Sequence, residues 1–155
     1  MKVVIRVGSS VNIGTGHVMR CLTLAEQLRR FGCEVSFITA ALKGHVISII
    51  KQRGYHTHVL PNPSAHWQER GWEEDCGMTL SWINHAEKRV DLLVVDHYFL
   101  DEKWERALVP YVGKILVIDD LANRRHNCHY LLDQNYKCYV MTPYASLVPS
   151  HCKIF

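Results

Sequence analysis

Val3-Val4-Ile5-Arg6-Val7-Gly8-Ser9-Ser10-Val11-Asn12-Ile13-Gly14-Thr15-Gly16-His17-Val18 is the stretch on which the fold turns. Its first five residues are apolar and β-branched apart from Arg6, and Gly8-Ser9-Ser10 ends the run, which suits a buried strand. Beyond the glycine-bearing loop, Val18, Leu22, Ala25 and Leu28 recur at helical spacing. Arg20, Glu26, Gln27 and Arg29 occupy the other faces, and Gly32 sits where a C′ residue stops a helix.

The same rhythm continues along the chain. Glu34 to Thr39 alternates as a second strand, and His45 to Arg53 reads as a second helix. Tyr55 to Leu60 alternates again and ends at Pro61, which cannot continue a central strand. Residues 61–77 are the least regular stretch, and a helix is expected from about Met78 to Lys88. Leu92-Leu93-Val94-Val95 is the most hydrophobic strand candidate and runs into Asp96-His97-Tyr98. Asp101 can cap a helix carrying Trp104 and Leu108, and Lys114 to Ile118 forms a fifth strand. Apolar strands alternating with amphipathic helices indicate an α/β fold, a Rossmann-like parallel sheet with helices on both faces. Right-handed crossovers favour the strand order 3-2-1-4-5. The first and fourth strands are then neighbours at the topological switch point, and the loops at 8–17 and 96–101 open onto one crevice.

The 155 residues make one domain's worth of chain, expected to fold as a single Rossmann-like domain over 1–155. A content of 48% hydrophobic and 21% charged residues excludes a disordered chain, a collagen-like repeat and a small disulfide scaffold. No apolar run approaches a membrane span, and Lys2 leads straight into the first strand without a secretory signal, so a cytoplasmic protein is expected. The net charge of +3 demands no nucleic-acid partner. It is unevenly spread: residues 1–60 hold eight Lys/Arg against two Asp/Glu, whereas residues 61–105 hold four against ten. The basic N-terminal part could draw in an anionic ligand, or these are solvated helix faces. The six cysteines include no C-x-x-C pair and read as buried or free thiols in a reducing compartment. His126-Asn127-Cys128-His129 has no second ligand pair at finger-like spacing, so a structural zinc is not expected.

The crevice residues carry the chemistry. Gly14-Thr15-Gly16 lets backbone amides approach a ligand closely. Met19 occupies the third position of a dinucleotide fingerprint, the second strand ends without an acid for a ribose, and no P-loop is present, so nicotinamide and P-loop readings fail. His17 lies in the first helical turn, whose positive end disfavours an imidazolium, so it is expected to be neutral and able to accept a proton. It is a base that activates water near a phosphate-bearing substrate, a histidine hydrogen-bonded to a neighbouring loop, or an exposed one. Arg20 shares its face and touches an anion or pairs on the surface. Tyr98 offers a hydroxyl or packs as a lid, and Asp96 orients a neighbouring donor or caps the next turn. Adjacent side chains leaving a strand point apart, so Asp119-Asp120 favours loop hydrogen bonding over an acid/base or metal pair. His56 and His58 read as surface residues.

Asn12-Ile13-Gly14-Thr15-Gly16-His17-Val18-Met19-Arg20-Cys21-Leu22-Thr23-Leu24-Ala25 resembles the opening of the UDP-2,4-diacetamido-2,4,6-trideoxy-β-L-altropyranose hydrolases of pseudaminic acid biosynthesis and their spore-coat polysaccharide relatives. Val94 to Tyr98, Ile118 to Arg124, Leu131 to Asn135 and Tyr144 to Pro149 look like further blocks of that family, in family order. The resemblance implies the N-terminal, catalytic half of a GT-B-type enzyme. That enzyme releases UDP by attack of water at the anomeric carbon, with inversion and without metal or cofactor. It implies that His17 activates the water, that Tyr98 lies at the sugar, and that Asn12, Gly14, Gly16 and Arg20 line the substrate. A C-terminal half that would bind UDP is not in this chain, which stops at Phe155. The fragment alone is therefore expected to be inactive. The family's first strand commonly ends Arg-x-Asp, whereas this chain has Arg6-Val7-Gly8. A glycosyltransferase acceptor domain of the same architecture, or a non-catalytic sugar-binding or docking module, are the alternative functions.

Overall fold

A computed structural model describes residues 1–11, 13–61, 67–85, 89–135 and 143–155, with the backbone alone over 67–70. Strands β1 (Lys2–Val7), β2 (Glu34–Ala40), β3 (His56–Leu60), β4 (Val90–Asp96), β5 (Val112–Ile118), β6 (Tyr130–Leu132) and β7 (Lys153–Ile154) form one sheet. Its order is β3-β2-β1-β4-β5-β6-β7, and every pairing is parallel. The expected order 3-2-1-4-5 stands, and two short strands extend it. With three and two residues, β6 and β7 are too brief to show a period in sequence.

Helices α1 (Gly16–Arg30) and α2 (Ile47–Gln52) follow β1 and β2, and α3 (Trp67–Asn84) and α4 (Glu102–Leu108) follow β3 and β4. Alternation along each strand divides the core into two layers. Val3, Ile5 and Val7 of β1 pack with Val18, Cys21, Leu22 and Ala25 of α1. Val4 joins Cys76 and Ile83 of α3 and Trp104 and Leu108 of α4. Gly32 takes the C′ position after α1 with φ +78°, donating to Arg29 O while Cys33 donates to Leu28 O, and so closes the helix end. Asp101 caps α4 by accepting from the Lys103 amide at 2.9 Å.

The largest difference from the sequence expectation is at the boundaries of α3. Helix α3 runs from Trp67 to Asn84, not from about Met78 to Lys88, and residues 86–88 lie outside the described residues. The cause is the composition of its buried stripe. Gly71, Asp75, Cys76, Thr79 and Ile83 face inward, so two polar residues and a glycine stand where periodicity looks for apolar side chains. Asp75 is there for Arg6. The Arg6 guanidinium, fully buried on the α3/α4 side of β1, donates to both Asp75 carboxylate oxygens and to Val7 O at 2.8 Å. Trp104 Nε1 donates to Asp75 Oδ1 at 3.0 Å, and Thr79 Oγ1 to the same oxygen at 3.4 Å.

Candidate functional site

Val7 and Asp96 are register partners, so β1 and β4 end level and their loops leave the sheet side by side at the switch point. The β1–α1 loop is held by its own polar atoms. Gly14 N donates to Ser10 O at 2.8 Å, Ile13 N to Ser10 Oγ at 3.1 Å, and Val11 N to Lys43 O at 2.9 Å. Gly14 turns the chain with φ +79°, a conformation that side-chain-bearing residues rarely adopt. A Cβ at Gly16 would meet nothing within 4 Å, so the folded chain itself sets no steric demand for glycine there. Thr15 is the N-cap of α1 without a side-chain capping bond, and the first turn carries no acid. The exposed amides of this turn therefore keep their attraction for an anion.

Asp96 is the centre of the site. Its buried carboxylate bonds His17 Nδ1 through Oδ1, and Arg20 spans it with Nε on Oδ2 and Nη2 on Oδ1, both at 2.6 Å. Cys21 Sγ donates to Oδ2 at 3.4 Å. Burial alone would raise the Asp96 carboxyl, but the hydrogen bonds from Arg20 and His17 and the charge of Arg20 outweigh it and hold it below its ordinary value. An ionised carboxylate accepts, so Nδ1 of His17 carries a proton, and in the neutral ring Nε2 keeps a lone pair. That Nε2 is buried and without a hydrogen-bond partner among the described residues. The Tyr98 ring stands edge-on to the imidazole with centroids 4.4 Å apart, at the half-buried mouth of the crevice. Arg20 Nη1 also reaches Asp120 Oδ2 at 3.2 Å. Beside Arg20, a groove of about 300 Å³ continues between α1 and the sheet, lined by Leu24, Gln27, Ile118 and Leu132 among others.

No protein-family model matches the chain. It is 32% identical over 156 aligned residues to the UDP-2,4-diacetamido-2,4,6-trideoxy-β-L-altropyranose hydrolase of Campylobacter jejuni subsp. jejuni serotype O:2. The alignment takes in 99% of this chain and 48% of that enzyme. The chain is similar in sequence to that hydrolase. It spans about half of the hydrolase's length. The relationship read from five motif blocks therefore extends over the whole chain.

Gly8 has a steric role. A Cβ on Gly8 would lie 2.6 Å from His97 Cδ2 and 2.8 Å from His97 Nε2, so the imidazole occupies the space that a side chain at position 8 would need. Phe99 N donates to His97 Nδ1 at 3.2 Å, which places the neutral ring's proton on Nε2. Burial, then the charges of Arg6 and Arg124, pushes His97 well below its ordinary value of 6.5. The folded protein thus keeps His97 neutral where the unfolded chain protonates it, and stability is lost as pH falls below 6.5. In urea titrations at pH 5 to 7, His97→Gln is expected to flatten the pH slope by up to one proton, ~1.4 kcal/mol per pH unit. An unchanged slope would contradict this assignment.

Of the sequence-expected site residues, the structure gathers His17, Arg20 and Tyr98 at the crevice and sets Gly14 and Gly16 on its rim. Asn12 lies outside the described residues. Between anion contact and ion pair, Arg20 stands in an ion pair with two carboxylates. Asp96 orients a donor and does not cap a turn. Asp119 and Asp120 do point apart. Asp120 reaches Arg20, whereas Asp119 accepts from Ala122 N at 2.9 Å and Tyr144 OH at 3.0 Å and pairs with Arg124 at 2.6 Å. His56 and His58 stack on Trp82 at the β3 edge. His126 is buried against Glu105 at 2.6 Å, and no cluster of three or more metal-ligating side chains occurs among the described residues. No described helix is long and apolar enough to cross a membrane. Sequence reasoning missed the Asp120 contact and the His97–Gly8 packing. Both join residues about 90 or more positions apart, and no local spacing signals them.

Proposed function

We propose that this chain is the catalytic wall of a UDP-sugar hydrolase, cleaving UDP-2,4-diacetamido-2,4,6-trideoxy-β-L-altropyranose or a close analogue by attack of water at the anomeric carbon. The observation that carries this reading is the Asp96-held His17, whose Nε2 is left as the proton acceptor at the switch-point crevice. Sequence similarity to a hydrolase named for that substrate supports it. In the proposed step Tyr98 rotates off the imidazole, and water is held by Nε2 above the sugar. As the water oxygen bonds the anomeric carbon, its proton passes to Nε2. The bond from that carbon to the UDP oxygen breaks, and UDP leaves with the electron pair. Asp96 stabilises the positive charge that develops on His17, and Arg20 with Asp120 keeps the carboxylate in place. Gly14 and Gly16 let the loop backbone approach the sugar, and the positive end of α1 favours an anionic substrate. The residues of 1–155 make one half of a GT-B-type enzyme, and a second, nucleotide-binding half contacts the UDP.

The test is release of UDP by the full gene product from the sugar nucleotide alone. Turnover without any added acceptor supports the hydrolase; turnover that requires an added sugar acceptor selects a glycosyltransferase. A protein that binds the sugar nucleotide and never turns it over is a binding module. Within the hydrolase reading, Asp96→Asn is expected to lower kcat by about 10²-fold or more, because the amide no longer fixes the Nδ1–H tautomer. KM should change little, and a kcat within a factor of two of the parent would remove Asp96 from the mechanism.

A further inference from the structure

Beyond β5, next to β6 and β7, Cys128 and Cys152 bring their sulfurs to 3.6 Å, and both are reduced in this structure. Cys128 is fully buried just before β6, and Cys152 is half-buried just before β7. We propose that these two thiols form an oxidisable pair whose disulfide clamps the outer edge of the sheet. A bond needs the sulfurs to close from 3.6 Å to about 2.05 Å. The other described cysteines have different neighbours: Cys21 bonds Asp96, Cys76 sits on the buried face of α3, and Cys33 follows α1.

The place of the pair says what the bond would do. β7 holds to the sheet through two residue pairs with β6, and β6 through three with β5. Residues 143–155 are tied to the rest by a few further contacts. His126 N donates to Leu147 O at 2.8 Å, and the Tyr144 hydroxyl donates to the Asp119 carbonyl at 2.9 Å. Asp119 neighbours Asp120, the partner of Arg20, so a covalent link here braces the loop behind the candidate site. The oxidant is a low-molecular-weight disulfide. The thiolate of Cys152, the more accessible sulfur, attacks it and releases one small thiol. Cys128 then attacks the Cys152 sulfur and releases the second, so two protein thiols lose two electrons and two protons to the small disulfide, which leaves as two thiols. Burial raises both thiols above their ordinary values, which makes the exchange slow and suits a structural clamp more than a rapid sensor.

The test incubates the chain with oxidised glutathione in mildly alkaline buffer, followed by alkylation and peptide mapping. The expected product is a monomer that has lost two of its six thiols, with Cys128 joined to Cys152. Its melting temperature should be at least about 5 °C higher, and dithiothreitol should reverse the shift. Cys152→Ser and Cys152→Ala, at a half-buried position that tolerates replacement, should show neither bond nor shift. A map in which Cys128 stays reduced, or in which Cys138 takes either partner, overturns the proposal. So does a Cys128–Cys152 bond that lowers the melting temperature.

Discussion

Replacing His17 with alanine is expected to reduce UDP release by about 10²–10⁴-fold, the usual contribution of a positioned general base. The loss should fall on kcat with KM little changed, because the imidazole acts on the water in the transition state and holds little of the ground-state substrate. The variant should also fold. His17 shares Asp96 with Arg20, and the two bonds from Arg20 at 2.6 Å keep the buried carboxylate paired when the ring is gone. The remaining cost is the cavity left by a small buried ring, about 1–3 kcal/mol. Kinetics and a melting curve on the same preparation separate the two effects. Undiminished turnover in a folded His17→Ala protein would exclude His17 as the base.

The largest effect on stability is expected at a residue outside the site. Asp75→Ala removes the carboxylate that both Nε and Nη2 of Arg6 bond, in a place where Arg6 is fully buried. Removing one partner of a buried pair leaves an uncompensated charge and costs about 3–5 kcal/mol. The same change strips the acceptor from Trp104 Nε1 and Thr79 Oγ1. Against a total stability of about 5–15 kcal/mol, that loss should be plain in urea denaturation. Arg6→Met combined with Asp75→Leu removes both charges and should recover much of the loss, leaving the Trp104 N–H as the residual cost. A single variant within about 1 kcal/mol of the parent would show that the pair contributes little.

Asp75 also shows why part of the fold was hidden in the sequence. Strand order was legible because apolar runs such as Leu92 to Val95 need burial on both faces, and such strands admit few topologies. Helix α3 was half hidden because its inner stripe is built around Asp75 and Thr79, which serve Arg6 on a distant strand. β6 and β7 were hidden by brevity and are held by neighbours, not by their own periodicity. At the site, the switch-point rule was enough to bring His17, Asp96 and Tyr98 together. It could not say that Asp96 would hold His17 and Arg20 at once, since that depends on side-chain directions at the end of β4. Nor could it say that His97 would lie over Gly8, a packing that only the register of β1 with β4 creates.

The central claim is that water, activated at His17, attacks the anomeric carbon and not phosphorus. Hydrolysis in water enriched with oxygen-18, followed by mass measurement of the released UDP, tests it most directly. UDP of unlabelled mass is expected, because the bond that breaks lies between the sugar carbon and the UDP oxygen. UDP that carries the heavy oxygen in its terminal phosphate would contradict it.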